Sequence, residues 1–220
     1  YVVPGAAGTA TALDFSWVDR KAAFFNEIGV YRVDDASGAV NGIAPGSADY
    51  AQAALAGATT VFARGQSKGA RSVQAFDAGT VLGFYLVQNS TTATARAVNP
   101  TNAPINGPVV FFSFAGASPD GFDHTRGSAS GTETTVRFED GLRGGDRDFD
   151  DAVIRVRSLN PNIAPGAAGQ VVPTSFRLNQ REAAFRSEVG VYAFDDASGA
   201  VGGVRPGDPG YAEAVLRSAN

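Results

Sequence analysis

Residues 138–156 read FEDGLRGGDRDFDDAVIRV and hold the densest set of potential ligands in the chain. Asp146, Asp148 and Asp150 alternate, Asp151 follows directly, Gly144 and Gly145 precede them, and Glu139 and Asp140 stand just upstream. Carboxylates this close repel one another by several kcal/mol, as an order of magnitude, when unpaired and out of water. A hard divalent cation removes that repulsion. Calcium takes roughly six to eight oxygens, and a D-x-D-x-D run in a Gly-containing loop offers them from alternating residues of a bent backbone. The segment is not an EF-hand, because its flanks read as strands and no Glu occupies the twelfth loop position. The competing reading is a solvated acidic loop neutralised by Arg143, Arg147, Arg155 and Arg157. Strand-like flanks and the paired glycines favour the metal.

A second polar cluster, SPDGFDHTR at residues 118–126, contains Asp120, Asp123 and the only histidine, His124. Asp120 and Asp123 are candidate ligands of a neighbouring ion, with His124 as a supporting hydrogen-bonding group. Asp34–Asp35 and Asp195–Asp196 could also be ligands, but an Asp-rich turn whose side chains bond their own backbone is the better reading.

The elements that must position these residues are mostly strands. Residues 27–34 (EIGVYRVD) alternate with period two and run into DDASG, so residues 39–43 are expected to return as a hairpin partner. Residues 47–58 (SADYAQAALAGA) predict one helix with Ser47 as its N-cap, repeated at 208–219. Residues 76–89, 109–114, 133–139 and 151–157 predict further strands between clusters of Gly, Pro, Asn and Asp. The expected fold is all-β with one short helix per repeat, a calcium-stabilised β-sandwich or jelly roll, tandemly repeated.

The repeat is explicit. Residues 2–59 align without gaps on 163–220, with 29 of the 58 positions identical. PGAAG, GVY and DDASGAV all recur at an offset of 161. Residues 1–161 are therefore expected to be one complete repeat and 162–220 the N-terminal portion of a second copy. Residues 159–169 (LNPNIAPGAAG) have the composition of the connection between them. That second copy lacks the counterpart of residues 60–160. Either the polypeptide continues into further repeats, or the partial copy completes its sheet with strands from another chain.

Composition narrows the chemistry further. With no Cys, thiolate chemistry, disulfides and Cys-based zinc sites are excluded. A net charge of -4 and a pI near 5.0 argue against a nucleic-acid partner. No run reaches the ~18 apolar residues of a membrane span, and no basic-then-apolar signal opens the chain. Beginning at Tyr1, it reads as a mature or excised segment.

FSFAGASPDGFDHTR followed by RFEDGLRGGDRDFDDAVIRV resembles the end of the bacterial domain-of-unknown-function family 4114, found in large secreted adhesins, RTX-type repeat proteins and proteins with cell-surface sorting tails. The family ending is E-D, a short spacer, G-G-D-x-D-[FY]-N-D and an apolar strand. Glu139, Asp140, Gly144, Gly145, Asp146, Asp148, Phe149 and Asp151 match it, and Asp150 stands where Asn is usual. The region 29–55 also looks like the stretch that often precedes this ending. The resemblance implies a calcium-stabilised sandwich with a role outside the cell or at its surface.

Three functions compete. Catalysis is disfavoured: there is one His, no Cys, no G-x-S-x-G elbow and no H-E-x-x-H motif. The alternating carboxylates also converge on one point instead of flanking a scissile bond. A carbohydrate- or ligand-binding module, facing a host or environmental surface glycan, would use exposed aromatics. Trp17 is the obvious candidate, yet its counterpart is Leu178, which suggests packing. The favoured expectation is a non-catalytic calcium-binding structural module of an adhesin, surface layer or extracellular filament, with neighbouring copies of the same repeat or chain as partners.

Overall fold

The computed structural model describes residues 1–104, 107–159, 192, 193, 195 and 200–219. The chain divides into two compact units, Tyr1–Gln170 and Val171–Asn220. Among the described residues of the first unit, nine strands and two α-helices follow in order: β1 Ala10–Asp19, β2 Glu27–Val33, α1 Tyr50–Ala56, β3 Thr59–Phe62, β4 Arg71–Asp77, β5 Val81–Val87, α2 Thr92–Val98, β6 Val110–Phe112, β7 Thr125–Ser130, β8 Glu133–Phe138 and β9 Ala152–Ser158. They form two antiparallel sheets, in the orders β4-β1-β9-β8-β7 and β3-β2-β5-β6.

Side chains of both sheets meet in one core, the layering expected of a β-sandwich. Leu13, Phe15 and Trp17 of β1 and Ile154 and Val156 of β9 come from the larger sheet; Ile28, Val30, Leu82, Phe84 and Leu86 come from the smaller. Each fully buried side chain of this kind contributes about 1.5–3 kcal/mol. Trp17 is 2% exposed, packs on Phe62 at 5.2 Å and donates its indole N–H to the Asp19 carbonyl, so it belongs to the core.

A further layer explains the nearly continuous apolar run VLGFYLV of β5, which is buried on both faces. Tyr85 and Val87, with Tyr31, Val33 and Phe112, pack against Tyr50, Ala51, Ala54 and Leu55 of α1 and Ala95 of α2. Gly29 and Gly83 make this face possible. They lie opposite Tyr85 and Tyr31 in the β2–β5 ladder, and a Cβ at either would fall within 2.5 Å of the facing ring.

Three local expectations change. Residues 76–89 are not one strand: the chain turns at residues 78–80, with Gly79 at φ 85°, and β4 and β5 join different sheets. Residues 39–43 do not pair with β2, whose neighbours are β3 and β5. Instead the Asp34 carboxylate accepts the Asn41 and Gly42 N–H groups at 3.0 and 2.7 Å, and Val40 pairs with Ile43. The first unit also has two α-helices where one was expected, and α1 starts at Tyr50, with Asp49 rather than Ser47 at its cap position. α2 hides in the Thr-rich run STTATARAVN, where Thr91 caps the helix by accepting the Thr94 N–H at 3.2 Å.

In the second unit, the Asp195 carboxylate accepts the Gly202 and Gly203 N–H groups, Val201 pairs with Val204, and α3 spans Tyr211–Ser218. This repeats the turn and helix of residues 34–56. The connection expected at 159–169, apart from Leu159, lies outside the described residues, as does most of 162–199.

Candidate metal centre

β8 ends at Phe138 and β9 begins at Ala152, so the loop 139–151 joins two neighbouring strands of the larger sheet. Its first residues are held by hydrogen bonds from well-separated parts of the chain. The Glu139 N–H donates to the His124 carbonyl at 3.0 Å, and a His124 ring nitrogen lies 2.9 Å from the Glu139 carbonyl. Asp140 accepts the Asn26 side-chain amide at 2.6 Å, its carbonyl accepts the Gln88 amide at 2.6 Å, and its N–H donates to Asp151 Oδ2 at 2.8 Å.

Beyond the 3-10 turn at Leu142–Gly144 the backbone coils. Gly145, Arg147 and Phe149 have φ of 40°, 66° and 56°. In an extended strand, carboxylates two residues apart stand about 7 Å from each other. Left-handed residues between them curl the chain and bring them together. As a result Glu139, Asp146 and Asp148 each place one oxygen so that all three lie within 4.8 Å of one another.

Gly145 is required by this geometry twice over. Its φ lies in the left-handed region, and a Cβ there would stand 2.2 Å from Glu139 Oε1. Gly144 is equally constrained, because its Cβ would enter the Phe122 ring at 2.4 Å. The GG of the sequence therefore leaves room for a carboxylate on one side and an aromatic ring on the other.

Glu139 is the electrostatic centre of the loop. It is 2% exposed, and its Oε2 is buried with no hydrogen-bond partner among the described residues. Burial, then the charge and hydrogen bonding of Asp151 and the charge of Asp146, push its carboxyl up to about 7. Asp140 is also pushed up to about 7, by burial first; the Asn26 hydrogen bond opposes this and Asp151 adds to it. Asp148 is raised by local desolvation and by its neighbours Asp146 and Asp150, against the Asp150 N–H it accepts. A buried carboxylate with an orphaned oxygen, facing two more carboxylates and a glycine floor, fits one hard cation. The donors are oxygens throughout. The one imidazole nearby has both nitrogens occupied, since its other ring nitrogen lies 3.0 Å from Asp120 Oδ1.

The eight residues singled out by sequence fall into three positions. Glu139, Asp146 and Asp148 converge. Asp140, Asp150 and Asp151 border them in other bonds: Asp140 to Asn26, Asp151 to the Asp140 N–H, and Asp150 to Lys21, whose ammonium pKa that hydrogen bond raises. Asp120 and Asp123 are not brought into the cluster. Asp120 accepts the Arg143 N–H at 2.5 Å and the Phe122 N–H at 3.1 Å and pairs with His124. Desolvation pushes its carboxyl up, and these bonds outweigh that and hold it low. Asp123 caps the start of β7 through the Thr125 N–H and pairs with Arg126.

The loop 118–126 thus supports the acidic loop. Phe122 stacks on Phe149 at 6.4 Å, Arg126 lies 4.1 Å over Phe149, and Arg147 lies 5.3 Å over Phe122. Sequence reasoning missed Lys21, Asn26 and Gln88. Asn26 acts across 114 residues, and no local pattern marks it.

The comparison with protein families bears on this loop. A family model described as Domain of unknown function (DUF4114) matches residues 76–159. That segment is similar to the DUF4114 family. The DUF4114 stretch runs from the end of β4 to just beyond β9 and so contains the acidic loop and its aromatic support. No curated protein and no solved structure matches the chain. Among the described residues, no helix is long and apolar enough to cross a membrane.

Proposed function

We infer that the chain is a non-catalytic calcium-binding structural module of a secreted or cell-surface repeat protein, an adhesin, surface layer or extracellular filament component, with neighbouring copies as its partners. The observation that carries this reading is the buried, unpartnered Glu139 Oε2 beside Asp146 and Asp148 within a 4.8 Å span. Calcium–oxygen bonds run about 2.3–2.6 Å, so ligands on opposite sides of one ion stand up to about 5 Å apart. Remaining positions would go to backbone carbonyls and water. Support for a non-catalytic role is that the carboxylates converge on one point and the histidine is fully buried in structural bonds. Recurrence of the 34–56 turn and helix in the second unit supports a repeat protein. Millimolar extracellular calcium fills even weak sites of this type.

The test is thermal unfolding in calcium and in EDTA, with metal content measured alongside. Saturation at about 100 times Kd stabilises by about 2.7 kcal/mol. For a unit of this size that moves Tm by roughly 5–10 °C. Equal melting in both conditions, with no calcium bound, would overturn the reading.

A further inference from the structure

The outer face of the five-stranded sheet carries neither α1 nor α2, which pack on the other sheet. Strand register lines its side chains into transverse rows. One row runs Ser128, Thr135, Arg155, Ser16, Arg71 across β7, β8, β9, β1 and β4 and contains only hydroxyls and guanidiniums. Beside it stand Arg126 and Arg137, directly opposite one another on β7 and β8.

Like charges facing across a ladder destabilise it, and this pair is compensated on one side only. Arg126 pairs with Asp123, whereas Arg137 is exposed and has no ion pair among the described residues. Arg71, from the first row, and Arg157, from the next, share one carboxylate, Asp14, which is 2% exposed and held at 2.5 and 2.9 Å. Glu133 pairs with Arg155 at 3.3 Å, and Asp77, at the end of β4, is taken by Arg32. The face therefore keeps uncompensated positive charge in a chain whose net charge is -4.

We propose that this face binds a linear acidic polysaccharide. Guanidinium forks match carboxylate and sulfate oxygens, and Ser and Thr hydroxyls supply the hydrogen bonds that sugar hydroxyls accept and donate. Neighbouring strands lie about 4.8 Å apart, so the Ser128-to-Arg71 row spans about 19 Å, the reach of an extended chain and not of a small anion. A protein partner is disfavoured by the absence of anchors. Among the described residues the face exposes no aromatic side chain, and its exposed large apolar residues are Val73 and, just beyond β9, Leu159. The positive charge itself supplies the complementarity, and none of these guanidiniums belongs to the acidic loop, although Arg126 packs on its Phe149.

The experiment is affinity electrophoresis of the whole chain, in fixed calcium, through gels containing dextran sulfate, polygalacturonate or neutral dextran. The expected result is retardation by both polyanions, weakened by salt, and none by dextran. Arg137→Glu should lower the apparent affinity at least tenfold, while Arg96→Glu on α2, with the same change in net charge, should not. Absence of retardation, or equal loss in both variants at unchanged melting, would overturn the proposal. So would self-association abolished by Arg137→Glu without polyanion binding, which would make the face a contact between copies. Repeating the dextran sulfate gel in EDTA separates binding by this face from calcium bridging: retardation should persist, and its loss with the ion would overturn the proposal.

Discussion

Glu139 sits at the end of a strand, where the chain has no freedom to swing the carboxylate back into water. The fold keeps it buried with one oxygen orphaned, while Asp151 and Asp146 add their charge. Such a group costs stability in the metal-free protein and gains it back only with a cation. Replacing it with glutamine separates these two effects. Glu139→Gln keeps the shape and removes the charge. The metal-free variant should melt higher than the parent at pH 7.5, by about 1–3 kcal/mol of relieved burial and repulsion, while calcium affinity falls at least tenfold. Calorimetric titration and melting on the same samples read both. A lower melting point without metal would show that the carboxylate is structural in its own right.

Elements decide which residues reach the loop. Strands β8 and β9 set its two ends, Asn26 comes from the approach to β2, and Gln88 from the exit of β5. The α2 helix contributes differently, because it covers the smaller sheet far along the chain from the carboxylates, and its first turn is held by the Thr91 cap and by Glu27, which accepts the Thr92 N–H at 2.8 Å. Thr91→Ala should lower stability by about 1 kcal/mol and leave calcium affinity unchanged. Chemical denaturation with and without the ion checks this. A parallel loss of affinity would mean that the helical layer and the acidic loop are coupled through β5.

At the scale of the molecule, the two carboxyls raised to about 7 make stability depend on pH. Glu139 and Asp140 are each raised to about 7 in the folded chain, above the ordinary range near 4 of the unfolded one. Between those limits the folded state binds more protons than the unfolded state, so stability falls as pH rises. The metal-free protein should be more stable at pH 5 than at pH 7.5, with the loss levelling off above about 7. Bound calcium, which requires the ionised forms, should reverse that order. Melting curves from pH 4.5 to 8 with calcium and with EDTA test it; parallel curves would refute the link between the carboxyls and the ion.

Parts encoded by neighbouring residues are legible along the chain. The Asp34 turn and the helix after it recur at Asp195 and Tyr211 because side chain and backbone partners lie within about ten residues. The acidic loop was legible for the same reason, since alternating Asp after GG is a local pattern. Tertiary structure decided what depends on distant partners. Asp120 accepts the Arg143 N–H from 23 residues away, a bond that no local pattern marks. The run 76–89 looked like one strand, and only the competition of two sheets for β4 and β5 breaks it at Gly79. The arginine-bearing row on the larger sheet is invisible along the chain, because register between strands, which sets Ser16 beside Arg155, aligns its members, and spacing within any one strand does not.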